Sequence, residues 1–297
     1  MIIDNIYAII VTYNPELDNI EKLVISLKEQ NVIPLIVDNG TLKEKELFFL
    51  RTIANVISLE ENEGIAKAQN IGIVYAKENK ADAVIFFDQD SQISNNFVES
   101  LVTDYLSVKS YDEKIGIIGP TFIDSRYKFY YKQIVLSRIG FRRKISPEKF
   151  KEPFKATLII SSGSFVPMTI LDSVGYMDEN FFIDYVDTEW CLRAIARGFS
   201  VYVSTSATME HAIGDKMISF LGLHIPVHSS VRRYYRIRNA ILFSRYPHVP
   251  LILKIRDNFM NLIHQAIITI SQKDKLNNYR TTIKAIKDGL SGKSGKQ

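Results

Sequence analysis

The sequence predicts an α/β fold, a mostly parallel sheet flanked by helices, followed by a helical and basic C-terminal extension. Three observations carry that prediction. Short, fully apolar runs alternate with segments of helical spacing through the first half of the chain; each run ends in a polar or glycine-bearing turn; and basic residues gather after His228. A chain of 297 residues, 46% hydrophobic with 17 Phe and 15 Tyr, can bury the core of one large domain with an appendage. We place the α/β domain at residues 1–215 and the helical region at residues 216–297.

Ile6–Val11 reads as the first strand, with Thr12-Tyr13-Asn14-Pro15 as its turn. Leu17, Ile20, Leu23, Val24 and Leu27 then recur at helical spacing. Ile33–Val37 is a second buried strand ending at Asp38-Asn39-Gly40, and Val56–Leu59 is a third. Ile65–Ala76 reads as helix, Ala83–Phe87 as a fourth strand ending at Asp88-Gln89-Asp90, and Ile115–Ile118 closes on Gly119-Pro120. Residues 126–155 are basic, aromatic and aperiodic, an expected loop or hairpin excursion. Strands are expected at Ala156–Ile160, Ser164–Val166 and Phe199–Val203, a helix over Val186–Arg197, and mainly helices after Ala212. In a parallel sheet covered on both faces, ligands bind beyond the carboxyl ends of the strands, where the polar tripeptides fall.

From His228 onward fourteen Lys/Arg stand against three Asp, a net +11, which leaves −7 for the rest of a chain whose total is +4. An acidic body with a basic, partly apolar tail suits an anionic partner, either nucleic acid or a membrane face. Pro250–Ile270 is the longest apolar stretch, but Lys254, Arg256 and Asp257 interrupt it. It falls short of the ~18 uncharged residues of a spanning helix and is expected to lie on a membrane rather than cross one. The single cysteine, Cys191, excludes an internal disulfide framework and fits a reducing, cytoplasmic setting. The opening Met-Ile-Ile-Asp lacks a signal peptide's basic segment and cleavage site. Only the Gly/Ser/Lys-rich tail Ser291–Gln297 is expected to be disordered.

Asp88-Gln89-Asp90 is the strongest chemical signal. Strand alternation would turn both carboxylates to one side, where they suit Mg2+ or Mn2+ bridged to substrate phosphates. Each candidate also has a plainer reading. Asp88-Gln89-Asp90 can be a solvated turn, Asp38 an Asx turn, Asn62 a helix cap, Ser162-Gly163-Ser164 a tight turn, and Trp190 a core side chain. Asp184 and Asp187 can form a capping box, supplemented by a Glu189–Arg193 pair one helical turn apart. Arg232, Arg233, Arg236 and Arg238, with Tyr234 and Tyr235, suit phosphate groups or lipid headgroups.

Read in order, Val11-Thr12-Tyr13-Asn14-Pro15, Val37-Asp38-Asn39-Gly40, Asn62-Glu63-Gly64-Ile65-Ala66-Lys67-Ala68-Gln69-Asn70 and Asp88-Gln89-Asp90 resemble the nucleotide-binding half of a family 2 glycosyltransferase of the GT-A fold. The resemblance runs on through Ser162-Gly163-Ser164 and Phe182-Ile183-Asp184-Tyr185-Val186-Asp187-Thr188-Glu189-Trp190, over most of residues 5–215. Asp88-Gln89-Asp90-Ser91 together with Asp184–Trp190 resembles the rhamnosyltransferase branch in particular.

What the resemblance implies is a set of roles. Thr12, Tyr13 and Asn14 line the nucleotide pocket, and Asp38 accepts from the pyrimidine N3–H. Asn62, Gly64 and Lys67 face the anionic donor at a helix start, where the dipole favours it. Asp88 holds the ribose or a metal-bound water, and Asp90 and His211 hold Mg2+ or Mn2+. Asp187 is the catalytic base, kept ionised by the helix dipole. Gly163, Ser164, Asp184, Glu189 and Trp190 meet donor or acceptor, and Arg236 the diphosphate. The implied reaction is inverting transfer of L-rhamnose from dTDP-rhamnose to a saccharide acceptor, expected to be lipid-linked, in bacterial surface polysaccharide synthesis. The implied location is the inner face of the plasma membrane, with the basic tail on the anionic surface.

A UDP-hexose or UDP-N-acetylhexosamine donor is the alternative within the same fold. A nucleic-acid-binding protein is the alternative from another class. It lacks any helix-turn-helix, finger or sheet-aromatic motif and leaves the acidic motifs idle, so no nucleic acid partner is expected. A dehydrogenase would need G-x-G-x-x-G after the first strand, and a sugar nucleotidyltransferase a Gly-rich basic loop there; neither is present. The sequence leaves the oligomeric state, a homodimer included, open.

Overall fold

The computed structural model describes residues 3–124, 129–211, 216–220, 223–227, 229–271 and 274–297, with backbone alone between residues 211 and 227. The chain runs β1 (Ile6–Thr12), α1 (Leu17–Glu29), β2 (Ile33–Asp38), α2 (Glu44–Ile53), β3 (Asn55–Ser58), α3 (Ile65–Glu78) and β4 (Ala83–Asp88). It continues through β5 (Gln92–Ile93), α4 (Phe97–Tyr111), β6 (Ile115–Asp124), β7 (Gln133–Leu136), β8 (Arg142–Ile145), β9 (Phe154–Ala156), β10 (Phe165–Pro167), α5 (Met168–Val174), α6 (Val186–Ala196) and β11 (Ser200–His211). The hairpin β12 (Lys216–Phe220) and β13 (Leu223–Val227) precedes α7 (Ser230–Phe243), α8 (Leu251–Ser271) and α9 (Lys275–Ser291).

The central sheet has the order β3-β2-β1-β4-β10-β6-β11-β5, with β9 on β11. Strands β1 to β4 are parallel to one another and β6 is parallel to β11, while β10 runs antiparallel between β4 and β6. Alternate side chains feed two cores. Tyr7 and Ile9 of β1, Val84 and Phe86 of β4 join α3, α5 and α6 on one face. Ala8, Ile10, Ile85 and Phe87 meet Ile20, Leu23, Val24 and Leu27 of α1, and α4, on the other. Burial on both faces is why these strands read as unbroken apolar runs, each large side chain contributing roughly 1.5–3 kcal/mol.

Register brings the polar strand ends abreast. Thr12 lies opposite Asp38 across β1–β2, and Val11 opposite Asp88 across β1–β4. Asp38, fully buried, is a hub at this edge. Its Oδ1 accepts from the hydroxyls of Thr12 (3.1 Å) and Thr41 (3.0 Å), and its Oδ2 from the N–H groups of Thr41 (2.9 Å) and Leu42 (3.1 Å). Asn39 carries the tie further, accepting from Glu63 N at 3.0 Å ahead of α3.

The helices expected after Ala212 are α7, α8 and α9, preceded by the β12–β13 hairpin. Two sequence expectations are corrected here. The strand expected at Ala156–Ile160 is confined to Phe154–Ala156, after which the chain turns toward Ser161. The tail beyond Ser291 is pinned to the fold: Gly295 N donates to Asn180 O at 3.0 Å, Gln297 N to the Tyr235 hydroxyl at 2.9 Å, and Lys296 pairs with Glu61. Its composition promised disorder because the anchoring partners come from distant elements.

Asp38→Ala strips the partner from four buried or half-buried donors at once. The substitution is expected to lower unfolding free energy by about 2–4 kcal/mol in urea titrations at neutral pH.

Candidate active site

Strand β4 ends at Asp88, and Gln89-Asp90 already turn, with Ser91 N donating to Asp88 O at 3.1 Å. The alternation expected to align the two carboxylates therefore stops at Asp88, half-buried, while Asp90 projects from the turn, exposed. Gln89, unremarked in the sequence, fastens the turn to the next strand by accepting from Tyr13 N at 2.7 Å.

A short loop at 161–164 reaches both acidic clusters. Ser162 Oγ accepts from Asp88 N–H (3.1 Å) and sits 3.0 Å from Ser91 Oγ. The Ser161 N–H faces Asp187 and favours its ionised form. Gly163 makes this crossing possible. Its φ is +74°, its N–H reaches Phe86 O at 2.6 Å, and a Cβ there would overlap Met209 Sδ and Pro120 Cγ. Ser164 is fully buried, its hydroxyl donating to Ser161 O at 2.6 Å. The expected contact of Gly163 and Ser164 with sugar is corrected: both lie beneath the site and shape the loop.

Asp187 opens α6. The residues before it, Asp184 and Tyr185, have φ of +61° and +69°, a left-handed pair that non-glycine residues rarely form. Helix α7 holds them there. Asn239 donates to Ile183 O (2.7 Å) and Asp184 O (3.3 Å), Arg238 donates to Asn239 Oδ1 (2.8 Å), and Arg232 pairs with Asp184 at 3.1 Å. The Tyr185 hydroxyl accepts from Asn261 of α8 at 2.8 Å. No capping box forms, since Tyr185 occupies the cap position without a side-chain bond and Asp187 instead accepts from Thr188 N at 2.7 Å.

Asp187 keeps some solvent contact yet is densely surrounded by protein. Burial pushes its carboxyl from 3.8 up to about 6, the charges of Asp184 and Asp88 adding to the rise against the N–H groups of Thr188 and Ser161. The expected dipole-stabilised, weakened base is corrected: burial wins and strengthens it. The repulsion from Asp88 also places the two acidic clusters, far apart in sequence, in one electrostatic neighbourhood.

Other expected contacts are already occupied. Thr12 is fully buried on Asp38, and the N–H groups of Tyr13 and Asn14 go to Gln89 and to Thr41 Oγ1 (2.8 Å). What Tyr13 offers a base is its ring, 51% exposed. A base could reach Asp38 only by displacing one of its four donors. At the start of α3, Gly64 N donates to Asn62 Oδ1 (2.9 Å), Ile65 N to Phe182 O (2.8 Å), and Lys67 pairs with Glu63 (3.0 Å).

Trp190 and Glu189 are corrected to core roles. Trp190 is 1% exposed, its indole N–H on Gly175 O at 2.8 Å, so no face remains for a sugar. Glu189, fully buried, pairs with Arg193 at 2.9 Å, with His248 Nε2 3.0 Å away. Arg236 lies in a polar seam between α7 and α8, donating to Asn261 Oδ1 at 3.4 Å; the guanidinium that meets the turn before α6 is Arg232's, on Asp184. His211 pairs with Asp124 through its strand, and its side chain is outside the described residues. A separate cleft of about 510 Å³ opens between Lys28 and Arg51, at the amino end of β2.

For a divalent cation the chain offers Asp88 and Asp90. No cluster of three His, Cys, Asp or Glu placed to hold an ion is found among the described residues. Two carboxylates at an open turn fit an ion of the Mg2+ or Mn2+ type, which takes its remaining ligands from substrate phosphate and water.

Comparison with known proteins decides the class. Residues 7–167, from β1 through β10, match the profile of glycosyl transferase family 2. The chain belongs to that family. This family 2 transferase is 48% identical, over 98% of its own length and 97% of the relative's, to a dTDP-rhamnosyl transferase, RfbF, of Shigella flexneri. Among solved structures it is similar to S. aureus TarS 1–349 in complex with UDP-GlcNAc, with a TM-score of 0.58 and 17% identity over 97% of this chain and 81% of that one. It is likewise similar to GalNAc-T7 with UDP, GalNAc and Mn2+, with a TM-score of 0.58 and 14% identity over 91% of this chain and 58% of that one. The mixed sheet of these neighbours is the GT-A architecture expected from the motifs, and the chain is a glycosyltransferase.

The raised Asp187 carboxyl predicts a pH signature. The folded state holds a proton that the unfolded chain, at 3.8, has already lost, so this contribution to stability is complete below 3.8 and disappears as pH rises through about 6. Without added divalent cation, Asp187→Asn is expected to gain melting temperature relative to wild type as pH is raised from 4 to 7; calorimetric scans across that range measure it.

Proposed function

We propose that this transferase moves L-rhamnose from dTDP-rhamnose to a hydroxyl of a saccharide acceptor by one inverting displacement. The observation that carries the chemistry is Asp187, recessed, raised in basicity and within electrostatic reach of Asp88 at the strand end. Asp187 takes the acceptor hydroxyl proton as that oxygen bonds the anomeric carbon. The bond from that carbon to the diphosphate oxygen breaks, and dTDP leaves with the electron pair. Relatedness to the Shigella flexneri dTDP-rhamnosyl transferase along the whole chain supports rhamnose as the sugar.

Asp88 and Asp90 would hold Mg2+ or Mn2+ against the diphosphate, where a cation offsets the charge that develops on the leaving group. The Mn2+ in the similar GalNAc-T7 structure supports a divalent ion of this kind. The Tyr13 ring stands over the strand ends as a surface for the base. Residues 1–215 supply this chemistry and residues 216–297 the support of α7 to α9. The acceptor is proposed to be lipid-linked, and the enzyme to work peripherally at the cytoplasmic face of the plasma membrane in surface polysaccharide synthesis. Exposed apolar and basic side chains on the C-terminal helices support that placement. No helix among the described residues is long and apolar enough to cross a membrane.

Nucleoside diphosphate release across dTDP-rhamnose, UDP-glucose, UDP-galactose and UDP-N-acetylglucosamine, with and without Mg2+ or Mn2+, tests the reading. Turnover is expected with dTDP-rhamnose and a cation; selective turnover of a UDP-sugar would replace the donor. Asp90→Ala is expected to abolish cation-dependent donor binding in calorimetric titrations. Asp187→Asn should bind donor like wild type while kcat falls by about two to four orders of magnitude, and wild-type turnover in that variant would remove Asp187 as base.

A further inference from the structure

Helix α8 leaves a broad apolar face exposed to solvent. At 3.6 residues per turn Leu251, Ile255, Phe259, Leu262, Ile263 and Ile270 share one face. All are exposed, Leu251, Ile255, Phe259 and Ile270 by more than 60%. The opposite side packs into the fold, burying Leu253 and Ile268 beside polar side chains. Asn258 donates to Ala240 O (3.2 Å) and Ser244 Oγ (2.7 Å), Asn261 to the Tyr185 hydroxyl (2.8 Å), and Gln265 is buried. A surface helix of a protein that works alone in water would turn polar side chains outward at these positions.

The patch extends beyond α8. The β7–β8 turn docks at the helix start, Ile252 N donating to Ile139 O at 3.3 Å, and leaves Ile139 and Phe141 58% and 60% exposed. Around that turn Arg138, Arg142, Arg143 and Lys144 are all exposed. At the far end, Lys275 and Arg280 of α9 are exposed beside Leu276 and Tyr279, and a cleft of about 280 Å³ between α8 and α9 is lined by Leu262, Ala266, Ile270 and Tyr279.

We propose that this face, the outer side of α8 with the 139–141 turn, seats in the interfacial layer of an anionic lipid bilayer. The apolar stripe sinks among the upper acyl carbons while the basic side chains at both ends bind headgroups. Charge decides against a second copy of the chain as the occupant. Both ends of the stripe are basic, so a two-fold pairing sets cation against cation whichever way the helices run; anionic lipid neutralises both. The proposal deepens the lipid-linked acceptor reading and rests on it for its purpose. Asn261 on the inner side of the same helix holds Tyr185, so the docked element also supports the loop that presents Asp187.

Flotation of the full chain with phosphatidylcholine vesicles, with and without phosphatidylglycerol, tests this. Wild type is expected to float only with the anionic vesicles and to be released by salt. Ile255→Glu/Phe259→Glu and, separately, Arg143→Glu/Lys144→Glu are each expected to weaken partitioning by about tenfold or more with melting temperature unchanged. The proposal is overturned if wild type binds neither vesicle, or if the Ile255/Phe259 variant binds as tightly as wild type. A wild-type dimer in light scattering that this variant splits overturns it equally, in favour of self-association. dTDP titration of the same preparations keeps the two readings apart: wild type that floats yet fails to bind dTDP keeps the membrane face and loses the donor.

Discussion

The site depends on one short crossing, the 161–164 loop, which grips Asp88 through Ser162 and Asp187 through Ser161. Two carboxylates brought together in a half-dry recess repel, and folding must hold them against that repulsion. The loop does so with neutral groups, the Ser162 hydroxyl accepting from the Asp88 backbone N–H and the Ser161 N–H facing Asp187, rather than with a cation that would quench the basicity of Asp187. Gly163 at positive φ, packed on Met209 and Pro120, is the geometric condition for the crossing.

The second support comes from the C-terminal helices. Two successive left-handed non-glycine residues, Asp184 and Tyr185, are uncommon and costly, and they persist because their surroundings over-determine them. Asn239 takes the carbonyls, Arg232 the Asp184 carboxylate, and Asn261 the Tyr185 hydroxyl. Much of the basic charge of α7 is thereby spent inside the protein. Arg238 is fully buried and Arg233 nearly so, Arg238 lying over the rings of Tyr234 and Tyr235. The basic character available to a partner sits instead on the β7–β8 turn and on α9.

Family membership and physical geometry agree on the class of chemistry while assigning residues different work. Several motif residues act one step behind the reacting groups. Asp38 and Thr12 lock the strand ends, Asn62 and Gly64 shape the entry to α3, and Trp190 with Glu189 anchors α6. Such residues are kept by packing and hydrogen bonding, so a motif match alone does not separate them from those that touch substrate. Burial divides the candidates: Tyr13, Asp88, Asp90 and Asp187 retain surface, and Thr12, Ser164, Glu189 and Trp190 do not.

The sequence by itself determined the layered α/β architecture, because strands buried on both faces leave unbroken apolar runs and α1 shows its single buried stripe at helical spacing. It also located the acidic clusters, since polar tripeptides at strand ends stand out against those runs. It did not announce α2 and α4, whose apolar faces are diluted by polar residues, nor β12–β13, nor the pinning of the C-terminal tail. Only the tertiary structure decided which polar groups are free to act. Hydrogen-bond partners such as Asp38 with Thr12, Ile65 with Phe182, or Ser162 with Asp88 are set by how distant segments meet. The basicity of Asp187 is likewise a property of its surroundings, set by burial and by the neighbouring charges of Asp184 and Asp88.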